Sequence, residues 1–173
     1  EAGWGLGLGV ALALALATLM HWVRPLYRAL YPLLVITQTI PTIAIAPLLV
    51  LWMGFGMAPK VTLVALTTFF PIAVSLLEGY ASTDRAAAGL LRSMGATRWQ
   101  IFRHLEFPSA LSHFFSGLRV SVSYAVVGAV ISEWLGGFEG LGVYMTRVKK
   151  AYAFDKMFAV IIVIVAVSLL LML

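Results

Sequence analysis

Apolar residues run through this chain in five long blocks separated by short polar stretches, and the first block has an unusual texture. It reads GLGLGVALALALA over residues 5–17, small and large apolar side chains in strict alternation. A period of two is the mark of a strand, but a membrane barrel strand carries polar groups at alternate positions. Here both sets are apolar. A helix with Gly and Ala on its faces satisfies its own backbone in lipid, so the pattern predicts a helical span over 3–20.

The second block, 33–53, is ~31 Å long at ~1.5 Å per residue, enough to cross a ~30 Å hydrocarbon core. Pro41 and Pro47 interrupt it, each removing a backbone donor and inviting a kink. GFGMAP at 54–59 reads as a turn. Further spans are expected at 60–77, 112–132 and 154–173. The reading is an all-α, polytopic transmembrane bundle, one domain over 1–173 with five spans. The absence of an initial Met and the end inside AVIIVIVAVSLLLML suggest a fragment, lacking a first span and a polar C-terminal tail.

Composition agrees. The 173 residues are 62% hydrophobic and only 11% charged, against about 25% charged in soluble domains. Mean hydropathy is +1.00. The net charge of +5 is read as loops facing anionic headgroups or an acidic partner, not nucleic acid. One side of the bundle would collect Arg24, Arg28, Arg85, Arg92, Arg98 and Arg103. The other would collect Lys60, Arg147, Lys149, Lys150 and Lys156, diluted by Glu1, Glu133, Glu139 and Asp155, with Arg119 just inside a span. The arginine-rich side is the better cytoplasmic candidate.

Between the third and fourth spans lies a polar stretch, about 79–111. Residues 84–94 favour helix, with Thr83 or Asp84 as N-cap; Gly95 breaks the run, and Thr97 would cap a second helix. That helix is too short to span and must lie at a surface. Pro108 fits a change of direction after it. Leu90, Leu91 and Met94 make one apolar patch; Trp99, Phe102 and Leu105, with Ile101, make another. A helix-turn-helix reading nucleic acid is geometrically hard between two membrane spans. A helix lying in headgroups and a helix docking into a partner's groove remain.

Here the residues carry a resemblance. The stretch resembles the cytoplasmic loop of permease subunits of ATP-binding-cassette importers, whose pattern is Glu-Ala-Ala, three residues, Gly, nine residues, Ile, one residue, Leu-Pro. In this chain Gly89-Leu90-Leu91 stands for the triplet, followed by Gly95 and Leu105-Glu106-Phe107-Pro108. TQTIPTIAIAPLLVLWMGFG, FFPIAVSLLEGY and FFSGLRVSVSYAVVGAVISEWLGG are similar to the nitrate/sulfonate/taurine branch, the last most similar to permeases for thiamine-pyrimidine precursors. The resemblance implies a type I importer permease fold in a bacterial inner membrane. Two copies would line the path, a cytoplasmic ATPase dimer would seat the loop, and an extracytoplasmic solute-binding protein would deliver a small polar organic solute. It also puts 83–111 in the cytoplasm.

Residue chemistry points the same way. There is no G-x-x-x-x-G-K-[ST] phosphate loop, so energy would come from a separate ATPase subunit and the chain would not itself be an enzyme. Span interiors are nearly free of charge, unlike those expected of an ion-driven carrier; that carrier, and a non-transporting interaction protein, are the alternatives. Leu90, Leu91, Met94, Trp99 and Phe102 would fill the partner's groove, with Arg98 and Arg103 at its rim. Gly95, Ala96 and Thr97 would form the turn, and Leu105, Phe107 and Pro108 would complete the loop. For the substrate path the candidates are Thr37, Gln38, Thr39, Pro41, Ser121, Tyr124 and Glu133. His21, His104 and His113 stand alone, giving no metal site, and no cofactor is expected.

Overall fold

The computed structural model describes residues 2–137 and 139–172. Glu1 and Leu173, counted above among the outer acids and the last span, lie outside the described residues, as does Phe138. Every described element is helical: α1 (Ala2–Trp22), α2 (Arg24–Thr37), α3 (Thr42–Met53), α4 (Met57–Ala81), α5 (Arg85–Ser93), α6 (Arg98–Ile101), α7 (Phe107–Gly136), α8 (Leu141–Lys150) and α9 (Phe154–Met172). A π-helical turn, Phe102–Glu106, joins α6 to α7.

The alternating block is helix α1, and the helix uses its texture in a specific way. Gly5, Gly9, Ala13 and Ala17 are buried, while Gly3, Gly7, Ala11 and Ala15 are exposed. Residues four apart share a helix face and residues two apart lie on opposite faces. One set of small residues packs against α4. A Cβ on Gly9 would overlap the Thr68 hydroxyl and come within 2.9 Å of the Ala65 carbonyl. On the other side of α4, Gly117 and Gly128 of α7 lie against Ser75 and Thr67, and Gly79 of α4 lies against Ala110. Without water to expel, close backbone approach through small residues is what holds helices together in lipid. Ser121, fully buried, donates to the Thr68 carbonyl across the same α4–α7 seam at 2.8 Å. So α4 is the hub. The cluster at its hairpin end gathers Ala17, Met20, Leu76, Leu77, Tyr80, Phe102 and Ala110.

Four sequence expectations are corrected. The expected span 33–53 is two helices, bent by 101° at a short break. The residue before a proline avoids helical backbone; α2 ends at Thr37 and residues 38–40 turn the chain ahead of Pro41. Pro41, with φ −60° and ψ 122°, starts α3 from an extended conformation. Pro47, by contrast, sits inside α3 without ending it. The turn after α3 is only 54–56, with Gly54 and Gly56 at φ 76° and 154°; Met57 already begins α4, which outruns the expected 60–77 at both ends. Pro108 does not turn the chain. It lies in the first turn of α7, and helical structure is continuous over 98–136, absorbing the separate second loop helix and the 112–132 span. Between the spans expected at 112–132 and 154–173 the chain forms a helix that was not expected, α8 over Leu141–Lys150.

Replacing Gly9 by Leu should wedge α1 from α4 and destabilise the bundle by about 1–3 kcal/mol, seen as a lower thermal unfolding midpoint in detergent. A Cβ on Gly7 meets nothing within 4 Å, so Gly7→Leu should leave the midpoint in place.

Candidate functional site

The stretch between α4 and α7 is a hairpin built almost wholly from local signals. Asp84 has extended backbone and its carboxylate accepts the Ala86 N–H at 2.8 Å, capping α5. At the other end Gly95 adopts φ 85°. The Gly95 N–H donates to the Arg92 carbonyl and the Ala96 N–H to the Leu91 carbonyl, both at 3.0 Å. That crossed pair of bonds closes a helix on a left-handed residue, where glycine has no Cβ to clash. Two residues later Thr97 starts α6 with a reciprocal cap: its hydroxyl accepts the Gln100 N–H, and its own N–H donates to Gln100 Oε1 at 2.7 Å. Both ends of the turn are thus fixed.

One face of the hairpin is bare. Leu90, Met94 and Trp99 are 63%, 75% and 56% exposed, a large apolar display for so few residues. Leu91, Ala96 and Leu105 are half-buried and Arg103 is exposed. The opposite face is tied down, which corrects the expected roles of two residues. Phe102 does not reach outward to fill a groove. It is buried, its ring 5.5–5.9 Å from those of Trp22, Trp99, His21, Tyr80 and Phe107. Ile101 is buried beside it. Arg98 is not a free rim charge: its Nη2 donates to the Trp22 carbonyl at 3.1 Å, and its guanidinium stands 4.8 Å over the Trp22 ring. That carbonyl is one of the unpaired acceptors at the end of α1.

His21 does not stand alone either. Its Nε2 lies 2.7 Å from Glu106 Oε2, in the π-helical turn. Together these contacts fasten the hairpin to the last turn of α1. Sequence reasoning missed His21, Trp22 and Glu106, and no local signal could have paired groups 76 and 85 positions apart. The π turn has a local cause. Pro108 offers no N–H to His104 and crowds that carbonyl; opening the ladder by one residue, with the Phe107 N–H donating to the Phe102 carbonyl, relieves it.

The candidate path residues divide. Thr37, Gln38 and Tyr124 come together on a cavity of about 130 Å³ between α2, α3, α4 and α7, with Thr42, Thr67, Phe70 and Pro71. The last four were not expected; Thr67, Phe70 and Pro71 share one face of α4, but nothing in the sequence says which face is turned inward. The hydroxyls of Thr37 and Thr39 donate to carbonyls of their own turn, and the Gln38 amide is a polar group on the lining with both donors and an acceptor. Pro41 shapes the break beside the cavity and does not line it. Two candidates are structural. Ser121 is spent on Thr68, as described. Glu133 accepts the Gly142 N–H at 2.7 Å and so holds the first turn of α8 against α7.

Comparison with known proteins follows the same lines. The family described as binding-protein-dependent transport system inner membrane component matches residues 5–173. The formylaminopyrimidine transport permease protein ThiX of Halalkalibacterium halodurans is 45% identical over 152 residues, 88% of this chain and 61% of that protein. The riboflavin transport system permease protein RibX of Chloroflexus aurantiacus is 41% identical over 120 residues, 69% of this chain and 45% of that protein. The chain therefore spans about three fifths or less of the length of these relatives. Among solved structures, a crystal structure of an amino acid ABC transporter with histidines superposes with a TM-score of 0.74 over 99% of this chain and 82% of that one, at 18% identity. At that identity the match concerns fold, and the fold is that of a type I importer permease.

Thr97→Ala should remove the reciprocal cap at a cost of about 1 kcal/mol. Amide hydrogen exchange across 98–101 should then speed up roughly fivefold, while exchange in the buried face of α4 stays unchanged.

Proposed function

The chain belongs to the binding-protein-dependent transport system inner membrane component family, and on that premise we propose that it is the membrane-spanning subunit of an ATP-driven importer whose hairpin, 83–111, receives force from a separate cytoplasmic ATPase. One observation carries the reading: the hairpin is capped at its turn, bare on one side and fastened to the bundle on the other. Leu90, Met94 and Trp99 enter a groove on the ATPase subunit. Motion of that subunit passes through the buried Phe102, the Arg98–Trp22 contact and the His21–Glu106 pair into α1 and α4. Helix α7 continues from the hairpin without a hinge loop, so a tilt imposed at Trp99 is carried along the seam that Ser121 and Gly117 pack. Alternating access at the path follows as a shift between two packings of the bundle. Two copies form the path, and an extracytoplasmic binding protein loads it.

For the solute we propose a small planar nitrogen heterocycle of the pyrimidine kind, ahead of sulfonate- or taurine-like solutes. Two relatives above 40% identity carry names that specify such rings, a formylaminopyrimidine and riboflavin. The small cavity offers matching chemistry: the Phe70 and Tyr124 rings for stacking and the Gln38 amide for ring nitrogens.

Two variants test the coupling. Trp99→Glu should abolish co-purification of the ATPase subunit. Gly95→Asp, strained at φ 85°, should cut ATP-driven uptake at least tenfold while the protein still reaches the membrane. Solute pumping by the permease alone in liposomes under an ion gradient would refute the reading. For the solute, Gln38→Ala should lower uptake of a labelled aminopyrimidine more than tenfold and leave ATPase association intact.

A further inference from the structure

Between the end of α1 and the inner face of the hairpin lies a cavity of about 1090 Å³, far larger than the one at Gln38 and just above the ~300–1,000 Å³ usual for small-ligand sites. Its charge is one-sided. Arg24 and Arg28 of α2 face it from one wall, and Arg85 and Arg92 of α5 from another, with Arg98 at the α6 edge. Among the described residues none of Arg24, Arg28, Arg85 and Arg92 has a carboxylate within ion-pair distance. The one acid on the lining, Glu106, is already engaged by His21. The arginines are placed by periodicity: positions 24 and 28 share a face of α2, and 85 and 92 share a face of α5. Like charges turned toward one shared cleft repel one another, and an anion between them relieves that repulsion. Thr83 also borders the cavity; its hydroxyl is turned away from solvent and has no hydrogen-bond partner among the described residues.

We propose that this cavity binds the phosphate of an anionic phospholipid headgroup, held by bidentate arginine contacts. The direction of the cavity selects the lipid over an acidic segment of a protein partner. On α5 the basic positions 85 and 92 lie roughly half a turn from Leu90 and Met94, at ~100° per residue. The face that meets the ATPase in the proposed function therefore points away from the cavity, and none of Leu90, Met94 and Trp99 lines it. The opposing wall is where α1 leaves its apolar run, marked by Trp22 and Tyr27, side chains that settle at the headgroup level. Basic pockets beside membrane helices on the cytoplasmic face are sites of anionic headgroup binding. The site stands whether or not the hairpin docks an ATPase.

The test uses the permease purified from membranes, with phosphatidylglycerol and phosphatidylcholine of identical acyl chains as probes, read by native mass spectrometry. One phosphatidylglycerol per chain should bind at least tenfold more tightly than phosphatidylcholine. Arg28→Gln combined with Arg85→Gln should erase that preference, and the Arg28→Lys, Arg85→Lys pair should keep most of it. If the Gln pair fails to accumulate, Arg28→Gln alone against Arg28→Lys carries the comparison. Equal binding of the two lipids, or a preference that survives the Gln substitutions, overturns the proposal. Displacement of the lipid by submillimolar inorganic phosphate or glycerol phosphate assigns the site to a free anion and overturns the lipid source. Loss of ATPase association in the Gln pair with lipid preference intact assigns the arginines to a protein partner and equally overturns it.

Discussion

The close approach of α4 to α1 on one side and α7 on the other is the constraint from which the remaining geometry follows. In lipid there is no water to drive apolar faces together, so contact must come from dispersion at short range and from hydrogen bonds that water does not contest. Glycines at 5, 9, 79, 117 and 128 let that approach happen, and Ser121 pins its register through the Thr68 carbonyl. With three helix axes fixed, the end of α1 and the start of α7 have little freedom. The pocket that receives Phe102 is formed by their ends and by Tyr80 of α4.

Rigidity and exposure are divided between the two faces of the hairpin. Its turn is held by caps at both helix termini, each satisfying backbone groups that would otherwise be free. Its inner side is held by one ring cluster, one guanidinium on a carbonyl and one imidazole–carboxylate pair. What is left outside is apolar and unpaired. Such a body can be pushed as a unit, because no loop between it and α7 can absorb the displacement.

Local chemistry was legible in the sequence; long-range pairing was not. Gly95 and Thr97 could be assigned, and the first cap narrowed to Thr83 or Asp84, because a cap or left-handed turn is decided within four residues. The first helix could be read against its strand-like alternation because both sets of positions were apolar, although only the structure shows that every second small residue is buried. Phe102 was misread as outward-facing, since Trp99 and Phe102 lie one turn apart and amphipathicity alone cannot say which of two aromatic faces meets the bundle. Pro108 was read as a stop because proline usually disrupts a helix. In a first turn it costs little, and the π turn before it absorbs the misfit. Ser121 and Glu133 looked like path residues because polar groups in apolar helices draw notice. Their partners, the Thr68 carbonyl and the Gly142 N–H, are visible only in three dimensions.

The π turn at Phe102–Glu106 also means that part of the design is written in residue count, with side-chain chemistry secondary. One extra residue in a helical ladder rotates everything on one side of it by ~100° relative to the other. The angular phase between Trp99, facing out, and the α7 face that seats on α4 is set by that single insertion. An ordinary α-helical turn of the same composition would keep every side chain and aim the hairpin a quarter-turn astray.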